Sequence, residues 1–409
     1  MRDIPWIRCA ATIAVFAASP ARVRAQAPFT RPTLTDVVSY ALRENPDLIT
    51  ARLRVDSARA EQRIARSVPN PTFSTIPGNP FQYSVNEPID IGPNRLYRNR
   101  AARQGTTAAR LDTDDARRQV VFSLRQAFFD LLLAEAIRDV SRQQRDITRR
   151  LLAADSLRLR SGDIAKRDVS TTELQLAHSD ATFARAEAGA RAARMNLQVL
   201  MGVPRPDTGF RVNGSLDYRP ATLPFDSLQE LAVARRSDIA AAAVRIEQSR
   251  ALRSLASANL IPVPGANVVY QAGQPFASGS NYALGLSFSL PVFYWFSGER
   301  QRANAGLQSA VVARDRTVVQ TRADVATAAA NYLAARELAK RYASGLLAKA
   351  QASLDMQRFA YEHGNASLLD LLNAINAFGD TQTDYFISLH DYWVAIYAID
   401  RAVGSDVVP

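Results

Sequence analysis

The chain contains one cysteine, three lysines and three isolated histidines among its 409 residues. Cys9 lies in a stretch that reads as a secretory signal. Residues 1–8 are basic, residues 9–18 are apolar, and Ala25-Gln26-Ala27 is a small-x-small cleavage site. The predicted mature chain begins near Pro28 and has no thiol, which excludes disulfides and thiolate metal sites. His178, His363 and His390 have no partner at ligand spacing, so no metal site and no cofactor are expected. After the signal, no run of about 18 apolar residues exists, so no transmembrane helix is predicted. An exported chain of this kind is periplasmic, secreted or inserted as a β-barrel. No nucleophile–base constellation, phosphate-binding glycine loop or catalytic carboxylate pair stands out, so an enzyme is not expected.

Proline is absent from residues 94–203 and 292–408. Proline breaks helix interiors, so these windows permit very long helices. The positive charge is almost all arginine. Removing residues 1–27 takes four Arg and one Asp, lowering the formal charge from +11 to +8. Arginines alternate with carboxylates, as in Asp114-Asp115 and Arg117-Arg118, which is the pattern of a solvated helix face. Charge alone permits nucleic-acid binding, but export argues against it, and no nucleic-acid partner is expected.

The chain repeats itself. Asp47 and Pro71 recur as Asp238 and Pro262, and Pro88 recurs as Pro291. Gly162, Asp168 and Gly202 recur 202 positions later as Gly364, Asp370 and Gly404. This predicts a tandem duplication: residues 1–27 as signal, 28–223 as the first repeat and 224–409 as the second, in one structural unit. Each repeat reads as a helix (34–68, 225–259), two short strands, then a long helical hairpin.

The segment 281–290 alternates. Tyr282, Leu284, Leu286, Phe288 and Leu290 face one way, and Ala283, Gly285, Ser287 and Ser289 the other. That is the length and pattern of a lipid-facing barrel strand. Residues 265–272 are its predicted partner. Phe81, Tyr83 and Val85 alternate with Gln82, Ser84 and Asn86, and residues 72–76 pair with them. A soluble hairpin with one buried face has the same pattern. Phe293-Tyr294-Trp295-Phe296 suits either a bilayer interface or burial under a barrel-to-helix junction.

In the last helix, positions from Leu368 to Val403 step by three and four without a break, as in a coiled coil. Val311, Val318, Val325, Tyr332, Ala339 and Leu346 repeat every seven residues on the preceding helix. Gly162 and Gly364 mark reversals. Each half thus predicts a helix of about 60 residues, roughly 90 Å, returning as one of about 40. The expected fold is mainly α with a small β part. Four strands cannot close a barrel, since single chains need about 8, and open edges are not viable in lipid. Several chains must therefore share one barrel.

This organisation resembles the TolC family of outer-membrane efflux channels over residues 30–405. The segment from Leu42 to Leu48 and the two glycine reversals followed by Asp168 and Asp370 carry the resemblance. Glu87-Pro88-Ile89-Asp90-Ile91-Gly92 and Leu290-Pro291-Val292-Phe293 are similar to the cobalt-zinc-cadmium efflux branch. The resemblance implies a homotrimer with a shared 12-stranded β-barrel among outer-membrane lipid and a periplasmic helical tunnel. It also implies a periplasmic adaptor (membrane fusion protein) and an inner-membrane pump of the RND type. The channel is then a passive duct for drugs or heavy-metal cations. A type I protein-secretion duct and a periplasmic coiled-coil scaffold are the alternatives.

The resemblance also implies roles. Asp370, with Asn373 one turn on, would ring the periplasmic aperture, although an exposed helix-start Asp has the same sequence signature. Asp168 would bond Tyr361 in a latch holding the tip closed. The family's latch arginine is Ala366 here, leaving Arg358 or Arg167 as substitutes. Arg160, Ser161, Gly162 and Asp163 on one tip, with His363, Gly364 and Asn365 on the other, would meet the adaptor.

Overall fold

The structure, a computed structural model, describes residues 31–90, 92–221, 227–273 and 275–407. The predicted signal and Cys9 lie outside the described residues. The chain is mainly helical, with one small antiparallel sheet.

The first predicted helix is two: α1 (Leu34–Glu44) and α2 (Pro46–Arg66). Thr33 and Asp36 cap α1 reciprocally, satisfying two of its orphan donors. Asn45 fills the break. Its side chain accepts from the amides of Asp47 and Leu48, and Pro46 occupies the first helical position, where no amide donor is needed. Strands β1 (Thr72–Ile76) and β2 (Phe81–Pro88) follow, then α3 (Pro93–Ser161) and α4 (Lys166–Met201). Helix α3 is 69 residues long, about 100 Å at 1.5 Å per residue.

The second half repeats this order, with α5 (Leu228–Arg235), α6 (Ser237–Ala258), β3 (Pro264–Ala272) and β4 (Tyr282–Phe288). It continues with α7 (Ser297–Arg341), a π-helical turn (Tyr342–Leu346), α8 (Leu347–Glu362) and α9 (Leu368–Val403).

Two expectations need correction. The helix expected over 225–259 breaks at Arg236, although no proline is there. Arg236 is buried and pairs with Asp238 at 2.6 Å and Asp324 at 3.0 Å, which holds its backbone extended between α5 and α6. The single long helix expected in the second hairpin is interrupted by the π turn, where Gly345 has φ 108°.

The breaks at Asn45 and Arg236 each dock on a helix-ending glycine. A Cβ on Gly202 would lie 2.4 Å from the Glu44 carbonyl oxygen, and one on Gly404 would lie 3.2 Å from Arg236 Cγ. Both glycines are left-handed, with φ 79° and 86°. Only glycine takes that conformation freely and allows so close an approach.

The sheet order is β1-β2-β3-β4, all antiparallel. The helices adjoining these strands follow the same order: α2 packs on α3, α3 on α6, and α6 on α7. Each strand therefore continues a helix of the same rank, and the chain is an arc of four staves. The main core lies where α1, α5, α9 and the segment 203–221 wrap this arc. Tyr332 and Tyr392 are fully buried there. Their hydroxyls donate to the carbonyls of Ala221 (2.6 Å) and Arg219 (2.7 Å), pinning a segment without regular structure. A second core of Leu354, Tyr361, Leu371, Leu372, Ile375 and Phe378 joins α8 to α9 towards the tip.

Candidate functional site: the two-faced sheet and the hairpin tips

Directly opposed residues in an antiparallel sheet share a face. Register places Tyr282 opposite Tyr270, which opposes Tyr83; Leu284 opposes Val268, which opposes Val85, which opposes Phe73. Leu286 and Phe288 continue the face on β4, and Leu290 lies two residues further on. All of these side chains except the half-buried Tyr270 are exposed, Leu284 by 84%. From Tyr282 to Leu290 is about 27 Å of strand. With the usual tilt, this covers most of a bilayer apolar band about 25 Å tall. Tyr83, Tyr270 and Tyr282 form an aromatic row at the hairpin end, with centroids 6.2 and 5.1 Å apart. At the opposite end, Phe293 is 99% exposed and Tyr294 and Trp295 are exposed. Phe296, the last of the run, is half-buried and packs on Tyr294 with ring centroids 5.4 Å apart.

The other face is polar. Ser74 and Ser84 hydroxyls lie 2.6 Å apart, and Asn86 opposes Asn267. Both asparagines have a side-chain oxygen without a protein partner. A Cβ on Gly265 would meet Ser287 Oγ at 2.6 Å and Asn86 Oδ1 at 3.0 Å, so glycine makes room for this cluster.

The tips are built alike. Asp163 N donates to Arg158 O and Gly162 N to Leu159 O; Asn365 N donates to Ala360 O and Gly364 N to Tyr361 O. Both are Schellman motifs around a left-handed glycine. Arg160, Ser161, Gly162, Asp163, His363, Gly364 and Asn365 are exposed. The His363 ring packs at a tilt against the Phe359 ring, and its Nδ1 lies 2.8 Å from the Phe359 carbonyl.

The latch residues are arranged differently from the expectation. Tyr361 donates to Asp155 Oδ1 at 2.8 Å rather than to Asp168. Asp155 is fully buried and also accepts from Thr172 Oγ1 at 2.8 Å. Burial first, then this bond, push the Tyr361 hydroxyl up to about 12. The Arg158 guanidinium covers the Tyr361 ring at 5.2 Å. Among the described residues, the ion pair of Asp168 is with its neighbour Arg167, at 3.5 Å. Sequence reasoning missed Asp155 because it lies among alternating acids and arginines that read as a solvated face.

Asp370 is exposed at the third position of α9. Its Oδ2 accepts from Ser367 Oγ at 2.7 Å and Ser367 N at 3.1 Å. These bonds hold its carboxyl below the usual range. Asn373 is exposed one turn on. Among the described residues no three His, Cys, Asp or Glu side chains are placed to hold a metal, and no helix is long and apolar enough to cross a membrane.

The fold is that of the outer-membrane efflux channels. The Campylobacter jejuni CmeC outer membrane channel superposes with a TM-score of 0.81 at 16% identity, covering 92% of this chain and 86% of that one. VceC of Vibrio cholerae gives 0.75 at 21% identity, with 91% and 96% coverage. Neisseria gonorrhoeae MtrE in its open state gives 0.73 at 21%, with 92% and 90% coverage. The family model "Outer membrane efflux protein" matches residues 78–203 and 228–405, and the chain belongs to that family. It is also 24% identical over 386 residues to the cobalt-zinc-cadmium resistance protein CzcC of Cupriavidus metallidurans, covering 91% of this chain and 90% of that protein. The outer membrane is its location.

Proposed function

We propose that three copies close into a shared 12-stranded barrel and a helical tunnel. This trimer is a passive exit duct for heavy-metal cations, delivered by an RND-type pump through a periplasmic adaptor. The observation that carries this reading is the open four-stave arc. β1 and β4 are both unpaired edges of a two-faced sheet. In lipid such edges require pairing. The edge helices α2 and α7 expose apolar side chains beside those edges, including Leu53, Ile64, Val311, Val312 and Val319. Repetition of element order, of the two Schellman tips and of the two glycine-docked breaks supports a tandem duplication, with the boundary near residue 223. The metal class rests on the likeness to CzcC, and the exposed tips suit end-to-end docking of the adaptor.

Mass measurement in detergent tests the assembly, with three chains expected; a stable monomer retaining its β signal would refute it. Leu286→Arg should impair membrane assembly by about 2–4 kcal/mol per chain, and Ser287→Arg much less. Equal yields of assembled protein from the two variants would overturn the facing assignment. Deleting the gene should raise sensitivity to cobalt, zinc or cadmium. Unchanged metal tolerance with altered drug tolerance would move the cargo to drugs.

A further inference from the structure

The helix ends next to the sheet are strongly basic. Residues 62–66, 87–103, 250–261 and 289–305 carry ten arginines against three carboxylates, which leaves +7 per chain. Of the carboxylates, Asp90 is buried and paired with Arg98 at 2.6 Å, and Glu299 is bonded to Tyr294. Arg63, Arg100, Arg103, Arg253, Arg300 and Arg302 have no ion-pair partner among the described residues. This differs from the shaft, where arginines alternate with acids and several pair with an adjacent Asp or Glu, as in Arg145–Asp146 and Arg314–Asp315.

The collar contains a cavity of about 610 Å³ between the start of α3 and the end of α6. Tyr97, Arg250, Arg253, Ser254 and Ser257 line it, and Ile261 closes the end nearest the sheet. Arg250 reaches Glu247 on its own helix. Ile261 also lines the neighbouring cavity of about 510 Å³, whose walls include Leu290, Val292 and Phe293. Leu290 extends the apolar face of β4. The arginine cavity is thus continuous, through Ile261 and the exposed aromatic run, with the outward face of the sheet. Cationic side chains sit next to an aromatic girdle, just beyond an apolar band.

We propose that this collar is a phospholipid site at the periplasmic leaflet of the outer membrane, with Arg250 and Arg253 holding the phosphate of an anionic glycerophospholipid. Guanidinium forks match phosphate oxygens in geometry and charge. Tyr97 and Ser257 supply hydroxyls on the cavity wall, and the acyl chains run along Ile261 and Phe293 towards the sheet. The site fixes the depth of the barrel, because the apolar band ends where the charges begin. It rests on the membrane-inserted reading above.

The test uses the full-length protein purified in detergent, with lipid retention read by native mass spectrometry. Dioleoyl phosphatidylglycerol and dioleoyl phosphatidylcholine are supplied at equal concentration. The wild type should retain the phosphatidylglycerol at least several-fold over the phosphatidylcholine. Arg250→Gln combined with Arg253→Gln should abolish that preference while leaving the trimer mass unchanged. Arg322→Gln, an exposed arginine in the shaft, should keep it. Arg253→Lys should retain part of it, which separates charge from misfolding. The preference should weaken with salt, since screening shortens from about 10 Å at 0.1 M to about 3 Å at 1 M. Equal preference in the double variant and the wild type, or none in the wild type, overturns the proposal and leaves the channel reading intact. Displacement of the lipid by millimolar inorganic phosphate overturns the lipid as occupant. A wild-type monomer that retains neither lipid refutes both readings.

Discussion

The two hairpins are nearly equal in length and share their turn chemistry, yet they are held differently. The first runs as one unbroken helix, α3, and returns through α4, whose N-cap Ala165 offers no side-chain hydrogen bond. The second is broken by the π turn at Tyr342–Leu346 and returns through α9, which begins with the Ser367–Asp370 capping box. The first hairpin therefore behaves as a rigid stave that supplies a buried acceptor, Asp155. The second has a jointed outer helix, α8, and its last residues are fastened to that acceptor through Tyr361. A π turn with a left-handed glycine is a local discontinuity in the hydrogen-bond ladder, and such places concentrate bending. An internal symmetry in sequence need not give mechanical symmetry.

Removing the fastener should have the largest effect. Asp155→Ala strands the Tyr361 hydroxyl in a buried site and leaves a cavity. It should cost roughly 2–3 kcal/mol of local stability, within the range for an unsatisfied buried donor. Tyr361→Phe should cost less, about 1 kcal/mol, because Thr172 Oγ1 still donates to Oδ2 of the carboxyl and no cavity is left. Hydrogen exchange of residues 354–362 reads the effect. Asp168→Ala should leave that exchange unchanged. If Asp168→Ala loosens residues 354–362 as much as Asp155→Ala, Asp155 is not the fastener.

Gly345 sharpens the contrast from the other side. At φ 108°, an alanine carries a backbone cost of about 1–2 kcal/mol, and no neighbouring atom lies within 4 Å of its Cβ, so the cost is purely conformational. Gly345→Ala should lower the thermal midpoint and raise exchange in α8. Unchanged stability would mean that the turn relaxes into regular α-helix, and the two hairpins would then differ less than the structure shows.

Much of this design was legible in the sequence. Alternation over 281–290 specified both sheet faces, because a period of two admits only one assignment. Gly162 and Gly364 announced the reversals, and Asn45-Pro46 announced a bend. The break at Arg236 was not legible, because its cause is tertiary: an ion pair to Asp324, which is distant in sequence. The π turn was hidden by the heptad running through it from Val311 to Leu346. Within one chain that heptad is buried only at Val325, Tyr332 and Ala339, while Val311 and Leu346 are exposed. Asp155 was invisible for a similar reason, since a buried carboxylate and a solvated one read alike until their neighbours are known.

A smaller effect concerns how α9 is tied back to α3. His390 contacts Asp130 at 2.7 Å and Asp391 at 2.9 Å. Burial lowers its pKa, but the two carboxylate hydrogen bonds outweigh burial and the net shift is upwards. A raised folded value means that the contribution is fully present below the unfolded value of about 6.5 and is lost as pH rises through the folded one. The thermal midpoint of the wild type should exceed that of His390→Gln most at about pH 5.5, and the gap should shrink towards about pH 9. A gap that is constant across this range would show that the imidazole acts through packing alone.

The last and smallest effect concerns Asp370, which has two readings that the structure makes separable. As a cap it serves Ser367 through two hydrogen bonds; as a member of a threefold ring it would supply a negative field at the mouth. The cap and the field are not exclusive. The bonds from Ser367 favour the ionised carboxyl, so the negative field should persist below the usual carboxylate range and vanish only as pH falls through the lowered value. Asp370→Ala removes both cap and charge, whereas Ser367→Ala weakens the cap and keeps the charge. Reversal potentials in a salt gradient across a planar bilayer distinguish them. Asp370→Ala should lower cation selectivity and weaken block by a trivalent cation, and Ser367→Ala should leave both nearly unchanged at neutral pH. Asn373→Asp should raise both, because it adds a second carboxylate about one turn away. All shifts should shrink near 1 M salt, where screening reaches only about 3 Å. If Ser367→Ala reproduces the loss seen with Asp370→Ala, helix order rather than charge sets the selectivity. If neither Asp370→Ala nor Asn373→Asp moves the reversal potential at low salt, Asp370 is a capping residue alone and the constriction lies elsewhere.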